Sequence, residues 1–425
     1  MKLDTLNIAL VNASRSAGIG HEPTDRLCAF LNMRSPPSNW ITHQSVLRDA
    51  YQLEADKSMK RAIEQAQQAS DDPGLTASLD GSWMKRGYQS MMGLVSAISL
   101  HNKVIGVDVT SKYCATCKGK APCTKGDNCS INYRGSSGGM ESVSATNIIK
   151  RIHQTTGVKV TTYLGDGDSK GFVRAKQAVD WPMTKLECVN HVAKRMGTRL
   201  RALCKKFKLG GQGKGKLTGQ AIDRIQKFYN QTVHYSNGDV SIMKQKIDAM
   251  RKHIGSSDAD PDHDDCDPSV CKYLKAYVIG EGEYDHDDHF HISKDIMDKV
   301  GQVFDDLTDQ ALLEKITHGK TQNSNESFNS TVWNLLPKSG FANRQLVEWA
   351  VFKSVCKFNE GELSVVRILH NLGAPIGYRM VSKCQSTDHR RMYTKRLAEE
   401  CELKRQKRVR DTDDGEYDPG NCPYE

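Results

Sequence analysis

Three acidic positions stand at expected element ends: Asp80 in Leu79-Asp80-Gly81-Ser82-Trp83, Asp166 or Asp168 in Gly165-Asp-Gly-Asp168, and Glu326 in Gln322-Asn-Ser-Asn-Glu326. If folding brings such acids together, they suit two-metal phosphoryl transfer. There, two divalent ions about 3.5–4 Å apart are bridged and flanked by carboxylates, one activating the nucleophile and the other steadying the leaving oxygen. Magnesium keeps several waters and takes only a few carboxylates, so three acids are enough. Taken singly, each acid has an ordinary reading as a turn aspartate or a helix-surface glutamate. Asp166 directly ends a strand pattern and is the preferred second acid, with Asp168 its rival on the same face. A calcium loop fits poorly there, because Lys170 and Gln177 fall at positions that need oxygen ligands.

Cysteine and histidine spacing offers a second kind of chemistry. Cys114-x2-Cys117-x5-Cys123-x5-Cys129 is compact enough for one tetrahedral Zn²⁺ held by four thiolates. His253, His263, Cys266 and Cys271 form a second candidate zinc set, in which His286, His289 or His291 could replace His253. Both would be closed structural sites. The isolated Cys28, Cys204, Cys356 and Cys384 read as small buried hydrophobes. Asp4 and Asn7 interrupt any apolar run before Ile8-Ala9-Leu10-Val11, so the start does not read as a secretory signal. Thirteen cysteines in such a chain point to metal sites and free thiols before disulfides. Gly210-x4-Gly215-Lys216 approaches a phosphate-binding loop but has Leu217 where Ser or Thr is needed, and no strand precedes it.

The 425 residues suffice for two or three domains, and no apolar run reaches the length of a membrane span. The net charge of +9 is unevenly spread. Between Lys185 and Lys227 there are twelve Lys/Arg against two acids, whereas six aspartates crowd Asp258 to Asp267. A strongly basic stretch fits a phosphate-backbone partner. Lys194, Arg195, Arg199, Arg201, Lys205 and Lys206 are its candidate DNA contacts, with a solvated helix face as the ordinary alternative. Lys404-Arg-Gln-Lys-Arg408 is a weak match to a nuclear-localisation stretch.

These residues need a scaffold, and the hydrophobic periodicity describes one. Helical pieces occupy residues 1–72, broken by Pro36-Pro37. A strand from Leu75 ends at Asp80-Gly81, and two more follow, Met92–Leu100 and Val104–Val109, joined at His101-Asn102. After the cysteine-rich loop at 113–132 come a helix from Met140, a strand over Val158–Leu164, a short helix and a strand over Thr184–Cys188. Three strands, a helix, a strand, a helix and a strand is the order of an RNase H-like α/β fold. In it the first three strands are antiparallel and the last two add in parallel through right-handed crossovers. The expected organisation is an N-terminal helical region (1–72), a first core segment (73–188), a mainly helical insertion (189–317), returning core helices (318–385) and a charged, partly disordered tail (386–425).

Four motifs in order add a family resemblance: Asp80-Gly-Ser-Trp83 with Lys85-Arg86-Gly87, Gly165-Asp-Gly-Asp168, Cys188-Val-Asn-His191, and His318-Gly-Lys-Thr-Gln-Asn-Ser-Asn-Glu-Ser-Phe-Asn329. Together they resemble the transposase domain of Mutator-like DNA transposons, in the form common in arthropod genomes, over residues 5–385. The resemblance implies an RNase H-like core with a DDE triad of Asp80, Asp166 (or Asp168) and Glu326, and a helical insertion before the Glu. It implies Mg²⁺ or Mn²⁺ in a two-metal site, strand cleavage and strand transfer on double-stranded DNA, a homo-oligomer on DNA, and action in the nucleus. His191, matching the family's Cys-x-x-His signature, would order the active site or touch the scissile strand. Asn329 would brace Glu326, and Lys85, Arg86 and Lys320 are candidate phosphate contacts. Two other outcomes stay open: a domesticated, non-catalytic DNA-binding protein, and a nuclease of this fold that cuts without joining. Nothing before Ser70 reads as a zinc finger or a clear helix-turn-helix, so recognition of transposon ends falls to a module outside this chain or to the first 70 residues and the basic insertion.

Overall fold

The computed structural model describes residues 4–413, apart from 71–72, 85–89, 119–122, 124–128, 168–169, 237, 269–270, 281–283 and 337–341. The chain divides into two compact units, one formed by residues 1–185 and 322–395 and the other by 186–321 and 396–425.

The first unit opens with three helices, α1 (Thr5–Ser16), α2 (His21–Phe30) and α3 (Trp40–Gln68). A meander follows: β1 (Leu75–Trp83), β2 (Met92–Ser99) and β3 (Val104–Ser111) pair antiparallel. Asn102, in the left-handed region at φ 57°, makes the β2–β3 turn. Ser136 caps α4 (Ser137–Thr156) by accepting from Gly139 N–H, and left-handed Gly157 ends it. Then come β4 (Val160–Gly165), α5 (Lys170–Gln177) and β5 (Thr184–Glu187). The five strands lie in the order β3-β2-β1-β4-β5, with β4 parallel to β1. This mixed sheet is that of an RNase H-like core.

Alternation along β1 decides what each face of the sheet holds. Leu75, Ala77 and Leu79 join Ala145, Ile148, Ile149 and Ile152 of α4 in one apolar cluster. Ser78, Asp80 and Ser82 therefore face the opposite side. There Met92, Leu94 and Ile98 of β2 pack with α3, α12 (Asn323–Leu335), α13 (Arg344–Glu360) and α14 (Leu363–Asn371). Two features differ from the sequence expectation. First, β1 does not stop at Asp80-Gly81: Gly81, Ser82 and Trp83 go on pairing with Val95, Leu94 and Gly93, so Asp80 sits inside a strand, opposite Ser96. Second, β4 shifts register between Leu75↔Val160 and Thr76↔Thr162, leaving Thr161 without a β1 partner. Strict alternation would put Val160 and Leu164 on one face. With the shift, Val160 and Tyr163 share the α4 cluster, and Leu164 turns to the Asp80 side.

The second unit is helical: α6 (Val189–Phe207), α7 (Gly219–Tyr235), α8 (Val240–Gly255), the short α9 (Lys272–Leu274), α10 (Lys294–Leu307) and α11 (Gln310–Leu313). It has its own apolar cluster, running from Val189 through Phe228, Tyr229 and Met250 to Phe304 and Ile316. A last helix, α15 (Tyr378–Asp413), carries the chain through the basic run near the C-terminus. Among the described residues no helix is long and apolar enough to cross a membrane.

One buried charge gives the first unit a pH signature. Lys353 of α13 is 3% exposed and lies over the rings of Tyr51 and Trp349, its ammonium 5.8 and 5.4 Å from their centroids. Burial pulls its pKa down to about 8. Between pH 8 and about 10.4 the unfolded chain holds a proton that the folded chain has lost, so this group makes stability rise with pH across that window. Lys353→Met is expected to stabilise the protein by about 1–3 kcal/mol at pH 7, the cation–π contact offsetting part of the relief. Urea midpoints measured at pH 7 and pH 10.5 should show the gain shrinking at the higher pH; a constant gain would rule the titration out.

Candidate active site and metal centres

Ser78 of β1 pairs with Leu164 of β4. The parallel register ends there, two residues short of Asp80 on β1 and of Asp166, which follows the end of β4. Asp80 is half-buried; Asp166, the first residue past β4, is exposed, and its carboxylate accepts from Gly167 N–H at 2.5 Å. On the other sheet face Gly81 leaves room for the Glu141 side chain, whose carboxylate a Cβ there would meet at 2.8 Å and push aside.

Glu326 arrives on α12, and polar contacts fix where that helix starts. Gln322 Nε2 donates to Leu79 O at 2.7 Å. The side chain of Asn325, 0% exposed, donates to Ser78 O and Ser96 O, each at 3.0 Å, and its Oδ1 accepts from Ser78 Oγ at 2.7 Å. Asn329 Nδ2 donates to Asp80 Oδ2 at 2.9 Å, and Trp333 Nε1 donates to Ser82 Oγ at 2.8 Å. Gln322, Asn325, Glu326 and Asn329 follow the i, i+3, i+4, i+7 spacing of one helix face, so Glu326 stands at the flank of the face docked on β1. Glu326 itself is exposed in the first turn. The brace expected of Asn329 thus goes to Asp80 instead of Glu326, because the docked face points its amide down onto β1.

Other expected site residues fall as follows. Asp168, Lys85 and Arg86 lie outside the described residues. His191 is half-buried in the first turn of α6, and Lys320 is exposed. His318 spans the start of that same motif: its Nε2 lies 3.1 and 3.0 Å from Glu187 O and Lys315 O, its Nδ1 accepts from Lys320 N–H at 2.8 Å, and burial lowers its pKa. The basic stretch of α6 is more internally paired than its composition suggests. Arg195 pairs with buried Glu187 at 2.5 Å, Arg199 with Asp306 at 2.8 Å, and Arg201 with Asp223. Lys194, Lys205 and Lys206 are exposed, Lys206 lying 4.9 Å from the Phe207 ring centroid.

Among the described residues, two side-chain groups could hold a metal ion, each with its ligand atoms all within 4.8 Å of one another. Cys114, Cys117, Cys123 and Cys129 gather between β3 and α4, with Cys114 Sγ 4.0 Å from Cys123 Sγ and Cys117 Sγ 3.8 Å from Cys129 Sγ. Four thiolates around zinc at about 2.3 Å are separated by about 3.8 Å, so the set fits. Hydrogen bonding from the Cys117 backbone is the main cause lowering the Cys114 pKa to about 5, which favours the ligating thiolate. Asn132 ties the far end of this loop to β3, accepting from Ser111 N–H at 2.7 Å and donating to Val109 O at 2.8 Å. The second group is His253, His263, Cys266 and Cys271, all buried. His253 is its fourth member, while His286 touches His263 from outside the quartet, its Nε2 3.0 Å from His263 Nε2. The Cys271 pKa is drawn down to about 2, chiefly by the hydrogen bond with Cys266 and further by those with His253 and His263. Spacing alone did not single out His286, one of three nearby histidines, or Asp258, one of six crowded aspartates.

An RNase H-like sheet interrupted in sequence by a helical unit, with Asp80 within β1 and Asp166 just past β4, defines the broad class. The chain belongs to the Mutator-like transposase family, whose model matches residues 2–271. That span contains Asp80, Asp166 and both Cys/His groups, and Glu326 lies beyond it. No curated protein and no solved structure matches the chain.

Asn325 is the pin of this site. Asn325→Ala leaves Ser78 O, Ser96 O and Ser78 Oγ without that partner in a buried position, an expected loss of about 2–4 kcal/mol in denaturant unfolding. A loss under about 0.5 kcal/mol would mean that apolar packing alone docks α12.

Proposed function

We propose that the chain is a DDE transposase that cleaves DNA and joins the cut end to a target, with Asp80, Asp166 and Glu326 as the catalytic acids. The observation that carries this reading is the parallel β1–β4 pair, with Asp80 and Asp166 each two residues beyond the paired Ser78 and Leu164, and a helix pinned on β1 by Gln322, Asn325 and Asn329. Three hard oxygen donors suit Mg²⁺ or Mn²⁺, held by Asp80, Asp166 and Glu326. When bound, such ions activate a water or a 3′-hydroxyl and stabilise the leaving oxygen in line. Asn329 holds Asp80 Oδ2 in a set orientation, which spares the carboxylate reorganisation during the reaction. The docked first turn of α12 presents Glu326 from a second element, so the site depends on unit-wide folding and not on one loop.

DNA-backbone binding falls to the outer face of α6, where Lys194, Arg201 and Lys205 share one side of the helix. Arg195 and Arg199 lie on a different side and serve structural ion pairs with Glu187 and Asp306. Lys404 to Arg408 fits nuclear entry, as a DNA-acting protein requires.

The deciding assay uses purified full chain, Mg²⁺ and DNA carrying the element's ends. Asp80→Asn, Asp166→Asn and Glu326→Gln should each abolish nicking while leaving duplex binding and thermal midpoint close to wild type. Wild-type nicking by any of the three would remove that acid from the site, and nicking without joined product would leave a nuclease. Binding isotherms at several salt concentrations test α6. Replacing Lys194, Arg201 and Lys205 by Ala should flatten the log–log salt slope by roughly two to three, about 0.9 per lost phosphate contact. The Arg195→Ala, Arg199→Ala pair should change it less; the reverse order would put the DNA on the other side of α6.

A further inference from the structure

The helical unit holds a complete coordination polyhedron with an outer shell of its own. His253 Nδ1 and His263 Nδ1 are 3.1 Å apart. Cys266 Sγ lies 3.5 and 3.7 Å from those two nitrogens, and Cys271 Sγ lies 3.8 and 3.5 Å from them. A tetrahedral zinc with bonds near 2.05 Å to nitrogen and 2.3 Å to sulfur needs edges of about 3.3 Å (N–N) and 3.6 Å (N–S). The observed edges match within a few tenths of an ångström. All four ligands are at most 8% exposed, which leaves no open coordination position for substrate or water.

Beyond the quartet a relay runs outward from His263. Its Nε2 lies 3.0 Å from Nε2 of His286, itself 3% exposed. His286 Nδ1 lies 2.5 Å from Asp258 Oδ1, and the His286 backbone N–H donates to the same oxygen at 3.2 Å. Ser256 Oγ stands 2.9 Å from His286 Nε2 and accepts from Asp262 N–H at 2.9 Å. Only one proton arrangement lets His263 ligate through Nδ1. That nitrogen must carry its lone pair, so Nε2–H donates to His286 Nε2, and His286 Nδ1–H then donates to Asp258. Tyr273 stacks flat on His263 at 4.2 Å and 13°, fixing the ring plane.

What this assembly replaces is an apolar core. The buried members of the unit's hydrophobic cluster stop at Ile254 and resume at Ile292. Between them lie the aspartate-rich segment, α9 and the turn at His286, and the quartet ties the end of α8 to that segment and to the start of α9.

We propose that His253, His263, Cys266 and Cys271 bind one structural zinc ion, and that Asp258, acting through His286, is a positioning pair that fixes His263 as an Nδ1 ligand. The ion is then the fold-determining element of residues 253–291. Outer-shell partners of this kind are worth about 10–100-fold in metal affinity. The proposal stands whether or not the chain cuts DNA.

The test uses the full chain. In a Cys117→Ser, Cys123→Ser background, which disables the four-cysteine group, elemental analysis should still find one zinc per chain. Cobalt substituted there should give tetrahedral absorption with thiolate charge-transfer intensity about half that of a four-thiolate site. A zinc-free chain in that background that keeps wild-type helical circular dichroism overturns the site. If that background fails to fold, the wild-type chain decides: two zinc ions per chain support the site, and one ion with four-thiolate cobalt intensity overturns it. The relay is tested separately by zinc competition against a chelator. His286→Phe and Asp258→Asn should each weaken zinc retention 10–100-fold, while His286→Gln, whose amide oxygen can still accept from His263, should retain most of it. Equal affinity in wild type and His286→Phe overturns the positioning role, as does failure of His286→Gln to rescue.

Discussion

The catalytic reading rests on a single buried amide. Asn325 sits at 0% exposure between β1 and β2, donating to Ser78 O and Ser96 O and accepting from Ser78 Oγ. An amide carries two donors and an acceptor with two lone pairs, and burial makes each lost partner costly. Sliding α12 along the sheet by one turn would break these bonds together and leave strand polar groups orphaned in an apolar layer. Gln322 and Asn329, three residues before and four after, extend the same clamp to Leu79 O and Asp80. The helix can therefore dock in one register, and the register sets Asn329 against the β1 acid although 249 residues separate them in sequence.

Much of this was legible in the sequence because periodicity survives burial. The alternation of β1 to β3, the left-handed Asn102 turn, the crossover helix α4 and the returning α12 and α13 all follow from patterns of two and of three to four residues. Asn325 and Asn329 were visible as neighbours of Glu326, but their partners were not. A helix-face rule gives the direction of a side chain and says nothing of which strand lies under it. The register shift at Thr161 was invisible for a related reason: the run from Val158 to Leu164 alternates well on its own, and only pairing with β1 reveals the extra residue. Likewise β1 overran its Asp-Gly turn signal because β2 offered it three more partners.

Charge was the least transferable signal. Twelve cations between Lys185 and Lys227 read as one basic surface, yet Arg195, Arg199 and Arg201 all meet carboxylates. Glu187 and Asp223 come from nearby in sequence, but Asp306 is 107 residues from Arg199, beyond any local count. These pairs differ in kind. Arg195 and Glu187 are 28% and 9% exposed, so breaking the pair leaves a charge with little water. Arg201 and Asp223 are 48% and 68% exposed, a pair worth at most about 1 kcal/mol that an incoming phosphate can displace.

With the proposed zinc bound, the helical unit draws its cohesion from two sources that respond differently to conditions. Its apolar cluster loosens with denaturant in proportion to the surface it exposes. The His/Cys quartet has another dependence: its ligands must be deprotonated, and a chelator acts on it while leaving apolar burial unchanged. A chain built this way should not unfold as one two-state unit, because stripping the metal removes the tie between α8, the aspartate-rich segment and α9 while the helices around Phe228, Tyr229 and Phe304 keep their contacts. Six aspartates within ten residues leave this segment few apolar side chains, and the His286–Asp258 contact and the four buried His/Cys side chains give it a polar centre to organise around instead.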